Sequence, residues 1–315
     1  MIVTDLKYFI RELESLLKHY RIANQNEYKQ QREQYSIIKS MHSIEKGMSL
    51  NEIKIGFGER KVVALMNRLE KYSESGFDCN HESVQMAMCA IAEYIQWHKD
   101  KNVLNKDIEK QYEKLMKVFP HNEKSGGTRK CVKSEILDFD CNEFDKVLYS
   151  RHSIRNFSDE EVNSEIIMEA VKRANRCPSA CNRQPTKVYI VKSMNARKYL
   201  ADHLQGTGGF AEKCKCFLIV TGSVAAFNFT ENNQWLINAG IFVGTLELTL
   251  HSSGIASCVI NSPLVRSKNI NEMRNLFKIP EDEEIVCFIG IGMYPDEFSV
   301  PFSKRLPINK IAKEI

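Results

Sequence analysis

The spacing of apolar residues changes partway along this chain, and that change limits the folds open to it. Up to residue 120, apolar side chains recur every three or four positions, as on one face of an α-helix. Further on, short β-branched runs alternate with helical stretches, which predicts an α/β or α+β region. The helical stripes include Leu6, Phe9, Ile10, Leu13, Leu16, Leu17 and Tyr20, then Val62, Leu65, Leu69 and Tyr72, then Ile108, Tyr112, Leu115 and Phe119.

Turn residues and β-branched runs divide the chain into three parts. Residues 1–120 form a small all-helical region, 121–144 a polar linker that contains a Gly pair, and 145–315 the second domain. The longest helix of that domain runs from Trp235 to about Ser253 and ends at Gly254. Because this helix is apolar or small on nearly every face, we expect it in the core or in a subunit interface.

Charge and cysteine usage exclude several classes of protein. The net charge of +4 is interleaved along the chain, which argues against nucleic acid but leaves anionic small ligands open. No apolar run approaches the roughly 20 residues that span a bilayer, and the first residues lack a signal-peptide layout. The ten cysteines have neither zinc nor thioredoxin spacing, so we expect reduced thiols in a soluble, cytoplasmic protein.

Two basic clusters in the second domain are candidates for binding an anion. In "SRHSIRNFSDEEV", Arg151, Ser153 and Arg155 alternate along an extended segment before a helix expected to start at Ser158. Arginine forks match phosphate oxygens, although a solvated basic edge strand explains this segment equally simply. Lys304 and Arg305 form the second cluster, near the end of the chain.

Five motifs in order resemble the nitroreductase family of FMN-dependent oxidoreductases, over roughly residues 145–315. They are "RHSIRNF", "PSACNRQP", "NAGIFVGTLELTLHSSGIASCVI", "IGIGMYP" and "KRLPI". The resemblance implies an α+β fold with a mixed central sheet flanked by helices. It also implies a homodimer that binds one FMN in each of two sites at its interface.

The resemblance also assigns expected contacts. Arg151, Ser153 and Arg155, with His152 beside them, would hold the FMN phosphate and ribityl end, and Lys304 and Arg305 would complete the phosphate site. The loop that contains Pro178, Ser179, Ala180, Asn182 and Gln184 would pass along the flavin ring. The backbone amides of Ala256, Ser257 and Cys258 would approach flavin N5 and O4.

Some features of the chain depart from the family pattern or leave alternatives open. Asn238 and Thr245 replace the more usual Asp and Asn, a change expected to affect interface hydrogen bonds more than chemistry. For the substrate, Phe227, Phe229 and Trp235 either form an aromatic lid over the flavin or pack the dimer interface. In the helical region, His42 and Glu45 lie one helical turn apart and form either half a metal or proton-relay site or an ordinary salt bridge near a helix end.

The leading hypothesis is an NAD(P)H-dependent FMN oxidoreductase. It would pass hydride through FMN N5 to a small organic acceptor, such as a nitroaromatic or a quinone, by a ping-pong mechanism. We name no catalytic side chain and no metal. The alternative is a flavin-bound partner or regulatory subunit with little turnover, whose helical region is an interaction module. A thiol-redox role for Cys177 and Cys181 is a third possibility.

Overall fold

The computed structural model describes residues 2–120, 125–231, 233–260 and 270–315, without the side chains of residues 2–8 and 11. Within these ranges no helix is both long enough and apolar enough to cross a membrane. The helices are α1 (Ile2–Asn24), α2 (Lys29–Met48), α3 (Glu59–Glu74), α4 (Glu82–Asp100), α5 (Lys106–Val118), α6 (Lys133–Ile136), α7 (Cys141–Ser150), α8 (Ser164–Ala174), α9 (Met194–His203), α10 (Gln234–Ser252) and α11 (Ile270–Phe277).

Helices α2 to α5 share a hydrophobic core of their own. Met41, Leu65 and Ile91, one from each of the first three helices, are fully or almost fully buried in it. The Phe57 ring packs so closely on α2 that a Cβ at Gly47 would overlap it, which explains a glycine inside this helix. The division of the chain at residues 120 and 144 stays a prediction.

The second half of the chain contains a four-stranded sheet in the order β1-β2-β4-β3. Its strands are β1 (Thr186–Val191), β2 (Cys216–Ser223), β3 (Ile255–Ile260) and β4 (Glu283–Met293). The α+β class is confirmed. The three pairs of neighbouring strands, β1-β2, β2-β4 and β3-β4, are all antiparallel, whereas the resemblance implies a mixed sheet. After α9, for example, a loop returns the chain to the sheet end where β1 finished, so β2 runs in the opposite direction.

Helices cover both faces of the sheet, as the alternation along β2 requires. Phe217 and Ile219 point to the face covered by α9 and α11, and Leu218 and Val220 point to the face covered by α8 and α10. Two hydrophobic cores therefore cover the two faces of the sheet. A ligand site is then expected at an edge of the sheet, where chain segments lie beside an edge strand.

Helix α10 begins and ends close to the predicted positions. Gly254, with φ +76°, follows it in the left-handed conformation expected of a glycine at a helix end. One face of α10 packs on the sheet, but Leu236, Ile237 and Ile241 on the other are 43%, 50% and 42% exposed. Within one chain, α10 thus leaves an apolar face without a partner among the described residues.

Helix α1 packs against the sheet region. Lys18 Nζ and Arg274 Nη2 each lie 2.8 Å from one of the two carboxylate oxygens of Glu284 in β4. Although burial raises the pKa of Glu284, its hydrogen bond with His19 and these two cations lower that pKa to about 2. The Lys18 pair joins α1 to β4 and the Arg274 pair joins α11 to the same strand, and all three side chains are largely buried.

The predicted linker also contacts the helical region. Glu45 Oε2 lies 3.1 Å from His42 Nδ1, while its Oε1 accepts a hydrogen bond of 2.9 Å from Gly127 N. Glu93 accepts from the backbone and hydroxyl of Thr128. Among the described residues no group of three or more His, Cys, Asp or Glu has metal-binding geometry. His42 and Glu45 lie within ion-pair distance of each other, and Glu45 also binds the linker at Gly127; the two interpretations of this pair stay predictions. Residues 121–124 of the linker lie outside the described part of the chain.

Candidate functional site

The arginine-bearing segment lies beside the edge strand β3. Ile154 N donates to Ser257 O at 2.8 Å, and Ser158 N donates to Met293 O at 3.0 Å. The prediction of a helix start at Ser158 is wrong, because that backbone N–H is bonded to the sheet and α8 begins only at Ser164. Two predicted parts of the site, the segment 151–155 and the strand residues 256–258, are thus neighbours.

The two arginines of this segment contact different elements. Arg151 Nη1 lies 3.6 Å from Glu247 Oε2 on α10. The Arg155 guanidinium lies over the Phe210 ring, 5.9 Å from its centroid, and Ser153 O accepts from it at 3.4 Å. The His152 Nδ1 is 2.8 Å from Ser150 O.

A cavity of about 330 Å³ opens beside Arg155. It is lined by Arg155, Lys213, Phe210 and the glycine-rich loop 206–209. Gly206, Gly208 and Gly209 all have positive φ, so this loop exposes backbone where other residues would place side chains. Two cations, an aromatic ring and open backbone are the chemistry that suits an anionic, ring-containing ligand.

The "PSACNRQP" loop has a strained backbone. Cys181, Asn182 and Gln184 have φ values of 53°, 54° and 50°, a region that non-glycine residues rarely adopt. Hydrogen bonds hold the loop: Asn238 Oδ1 accepts from Ala180 N at 2.7 Å, and Ser179 Oγ accepts from Gln184 N at 3.1 Å. Asn238 therefore bonds to this loop within its own chain, where a role at an interface was expected.

Arg183, which the sequence reasoning passed over, is the buried anchor of that loop. Its guanidinium donates to Ala180 O, to Ala226 O and to both carboxylate oxygens of Glu231, and lies 4.3 Å from the Phe227 ring centroid. Lys39 of α2 lies 3.4 Å from the same carboxylate. This ionic chain links the helical region, the loop and the predicted substrate segment. The available signal was Glu231, the single acid in "SVAAFNFTENNQW".

The three aromatic residues of that segment lie in different surroundings. Phe227 is buried beneath Arg183, and Trp235 packs with Ile22 and Val224 at the junction with α1. Phe229 is 48% exposed and makes an edge contact with Tyr20, at 5.6 Å between ring centroids. Of the three rings, Phe229 is thus the most exposed, while Trp235 is half-buried.

The C-terminal basic pair makes no direct polar contact with the first cluster among the described residues. Lys304 and Arg305 are exposed, and among the described residues no hydrogen bond or ion pair joins either of them to Arg151 or Arg155. Gly290 and Gly292 of β4 leave room for packed neighbours: a Cβ at Gly292 would lie 2.7 Å from Phe157, and one at Gly290 would lie 2.6 Å from Cys214 Sγ.

The cysteines near the site are poorly suited to thiol chemistry. All ten cysteines of the chain are free thiols. Burial raises the pKa of Cys177 and that of Cys258, which lowers their thiolate fractions near neutral pH. This disfavours the thiol-redox hypothesis for the loop.

These elements define an α+β protein in which a basic segment lies beside the edge strand β3, a glycine-rich cavity opens next to Arg155, and a strained loop leads into the opposite edge strand, β1. The Nitroreductase family model matches residues 148–218 and 230–293. This part of the chain is therefore similar to the nitroreductase family.

Individual relatives are distant. A 4-nitrobenzoate reductase from Pseudomonas putida is 24% identical over 52% of this chain and 91% of its own length. An iodotyrosine dehalogenase 1 homolog from Caenorhabditis elegans is 27% identical over 52% of this chain and 58% of its own length. Among solved structures, an FMN-dependent nitroreductase from Clostridium difficile is 23% identical, covers 54% of this chain and 98% of its own, and has a TM-score of 0.45. With so low a score, the fold assignment rests on the helices and strands of this chain.

Proposed function

We propose that this chain is an FMN-dependent oxidoreductase that passes hydride from NAD(P)H to a small organic acceptor by a ping-pong mechanism. The observation that carries this proposal is the position of the segment 151–155 beside residues 256–258, in a chain region that matches the nitroreductase family model. The match to that family supports flavin as the cofactor.

The side chains at the sheet edge suit FMN. Arg151 and Arg155 supply the fixed positive charge that a phosphate needs, and Lys213 adds a third cation at the cavity. Bound flavin would supply the hydride chemistry, while the protein supplies position and electrostatics. The strained loop 178–184 would present amide groups to the edge of the ring, with Arg183 and Asn238 fixing its shape from below.

We propose a homodimer as the functional form. Besides the free face of α10, the short helices α6 and α7 and the C-terminal tail expose large apolar side chains that one copy alone leaves in water. A second copy would cover them and fix the tail that contains Lys304 and Arg305, completing the phosphate site. The exposed side chains include Ile136, Leu137, Phe139, Phe144, Tyr149, Phe302, Leu306, Ile308 and Ile311.

The helical region would fix the substrate segment. Residues of α1 and α2 contact Trp235, Phe229 and Glu231, so the segment expected to choose the acceptor is held from the N-terminal side. Phe229 would then contact the acceptor. We propose the cytoplasm, where free thiols persist, as the location.

Anaerobic reduction of the purified protein tests the function. The proposal predicts a yellow protein that NADH or NADPH bleaches and that a nitroaromatic, a quinone or an iodinated phenol restores. The iodinated phenol is included because relatives include dehalogenases. Arg155→Ala should bind FMN much more weakly, while Arg176→Ala, an exposed arginine away from the cavity, should not. A yellow protein inert to both nicotinamides would favour the flavin-bound regulatory subunit, and a protein unable to bind flavin would refute both functions.

A further inference from the structure

Glu247 is the single charged residue between Trp235 and Leu250, in the middle of an apolar helix. It is 7% exposed, and its Oε1 has no hydrogen-bond partner among the described residues. Its Oε2 is 3.6 Å from Arg151 Nη1, longer than a well-made ion pair. A buried carboxylate with one unpaired oxygen is costly, so its presence calls for a reason other than stability.

The surroundings of Glu247 shift its pKa in opposite directions. Burial raises its pKa from the ordinary value of 4.5, whereas a hydrogen bond with Ser257 and the charge of Arg151 lower it, and the net direction is upward. Arg151 is the one cation within ion-pair distance of it among the described residues. Burial and the charge of Glu247 raise the pKa of Cys258, Cys287 and Tyr294, and His251 lies one helical turn further along α10.

The neighbouring histidine is already engaged. His251 Nε2 lies 2.7 Å from Ser150 Oγ, and its Nδ1 lies 2.7 Å from the Tyr294 hydroxyl. Burial and the charge of Arg151 lower the pKa of His251, which keeps it neutral near pH 7. Arg151 is therefore the residue that balances the negative charge of Glu247.

Arg151 has two possible partners, Glu247 and a bound phosphate. Its side chain is 21% exposed, so part of the guanidinium is open to a ligand while another part faces Glu247. A phosphate dianion bound there would attract the guanidinium and would also repel the buried carboxylate. Both effects favour the neutral, protonated form of Glu247.

We propose that Glu247 is a positioning residue that competes with the cofactor's phosphate for Arg151, so that FMN binding is coupled to uptake of one proton by Glu247. The inference rests on the proposed function, in which Arg151 binds that phosphate. The proton comes from solvent and forms an O–H bond on the Glu247 carboxyl, and no other bond changes. The phosphate-bound protein then contains a neutral acid in place of an unpaired buried charge.

The coupling has a definite sign. Because the FMN-bound protein holds more protons on Glu247 than the flavin-free protein, FMN affinity should fall as pH rises through the raised pKa of Glu247. Full coupling corresponds to about tenfold weaker binding per pH unit within that window. Riboflavin lacks the phosphate, so its affinity should not follow this dependence.

The test compares wild type with Glu247→Gln, using full-length protein stripped of flavin and titrated with FMN or riboflavin by fluorescence quenching. FMN should bind both proteins equally at the acid end and the variant at least about tenfold more tightly at the alkaline end. The FMN phosphate itself titrates near pH 6, but identically in both titrations, so it cancels in the ratio. Riboflavin should give the same pH profile with both proteins.

Calorimetry of the wild type in two buffers of different ionisation enthalpy gives a second measurement that needs no variant. At pH values above the range in which the FMN phosphate titrates, FMN binding should take up protons. Riboflavin binding should take up none. Equal pH slopes for FMN in both proteins, or no proton uptake, would overturn the role of Glu247 and leave the FMN function standing. Failure of the wild type to bind either flavin would overturn the FMN function, and the role of Glu247 with it.

Discussion

Replacement of Glu231 by Gln should destabilise the junction between the helical region and the sheet. The buried Arg183 guanidinium donates to the two oxygens of Glu231 at 3.0 and 2.7 Å, and the arginine is 3% exposed. The variant keeps the shape of the side chain but leaves the positive charge of Arg183 without its counter-ion. Loss of one partner of a buried pair costs about 3–5 kcal/mol.

The pKa of Glu231 gives a second magnitude from the same contacts. Hydrogen bonds from Arg183, partly opposed by burial, lower this pKa from 4.5 to about 2. A shift of that size corresponds to at most roughly 3 kcal/mol of stabilisation by the charged form, since solvent screening of the partly exposed carboxylate reduces it. Because the folded-state pKa is lowered, this stabilisation is fully present above pH 4.5 and is lost as the pH falls from 4.5 towards 2.

Urea unfolding followed by tryptophan fluorescence measures the effect, since Trp235 packs at this junction and Trp97, the other tryptophan, packs on the core of the helical region. Glu231→Gln should lose about 3 kcal/mol near pH 7 and should show a shallower loss of stability in acid than the wild type. The matched control is Glu169→Gln, which removes an exposed pair with Lys172 and should cost at most about 0.5 kcal/mol. A Glu231 variant as stable as the control would refute the reasoning.

Three further predictions concern the loop, the sheet edge and the dimer. Asn238→Leu leaves a loop N–H unpaired and should weaken FMN binding by about 1–3 kcal/mol, whereas Asn238→Asp keeps the acceptor and should bind nearly normally, as flavin titration would show. Gly292→Ala places a Cβ 2.7 Å from Phe157 and should cost about 1–3 kcal/mol in urea unfolding; an unchanged midpoint would contradict the close packing. Ile241→Glu should convert the dimer to a monomer in analytical ultracentrifugation, whereas Met168→Glu, on the exposed side of α8, should not; a dimeric Ile241 variant would exclude this face of α10 from the interface.

Periodic patterns predicted the larger elements of the fold. Helix α10 and its terminal Gly254 follow from an apolar run that a glycine closes, and these signals are local. The helix expected at Ser158 failed because acids that commonly follow a helix start occur here in a segment bonded to β4 instead. Tertiary hydrogen bonds of this kind override local helix propensity. They join residues far apart in the chain, so a short stretch of sequence does not reveal them.

The candidate site could be predicted in part for the same reason. Arg151 and Arg155 stood out because they alternate within five residues, but their separate partners, Glu247 and Phe210, lie more than 50 positions further on. The strained φ values at Cys181, Asn182 and Gln184 had no sequence signal, since none of the three is glycine.

The two carboxylates that sequence reasoning missed share a feature that the sequence does display. Glu231 is the single acid of its segment, and Glu247 is the single charge of an apolar helix. An isolated charge in a stretch that must be buried needs a partner of opposite sign, because an unpaired buried charge is too costly. Arg183 and Arg151, each within a motif already selected for other reasons, are those partners. For Glu247, in a stretch apolar enough to be buried, that requirement predicts a cation from elsewhere in the chain, and the fold selects Arg151.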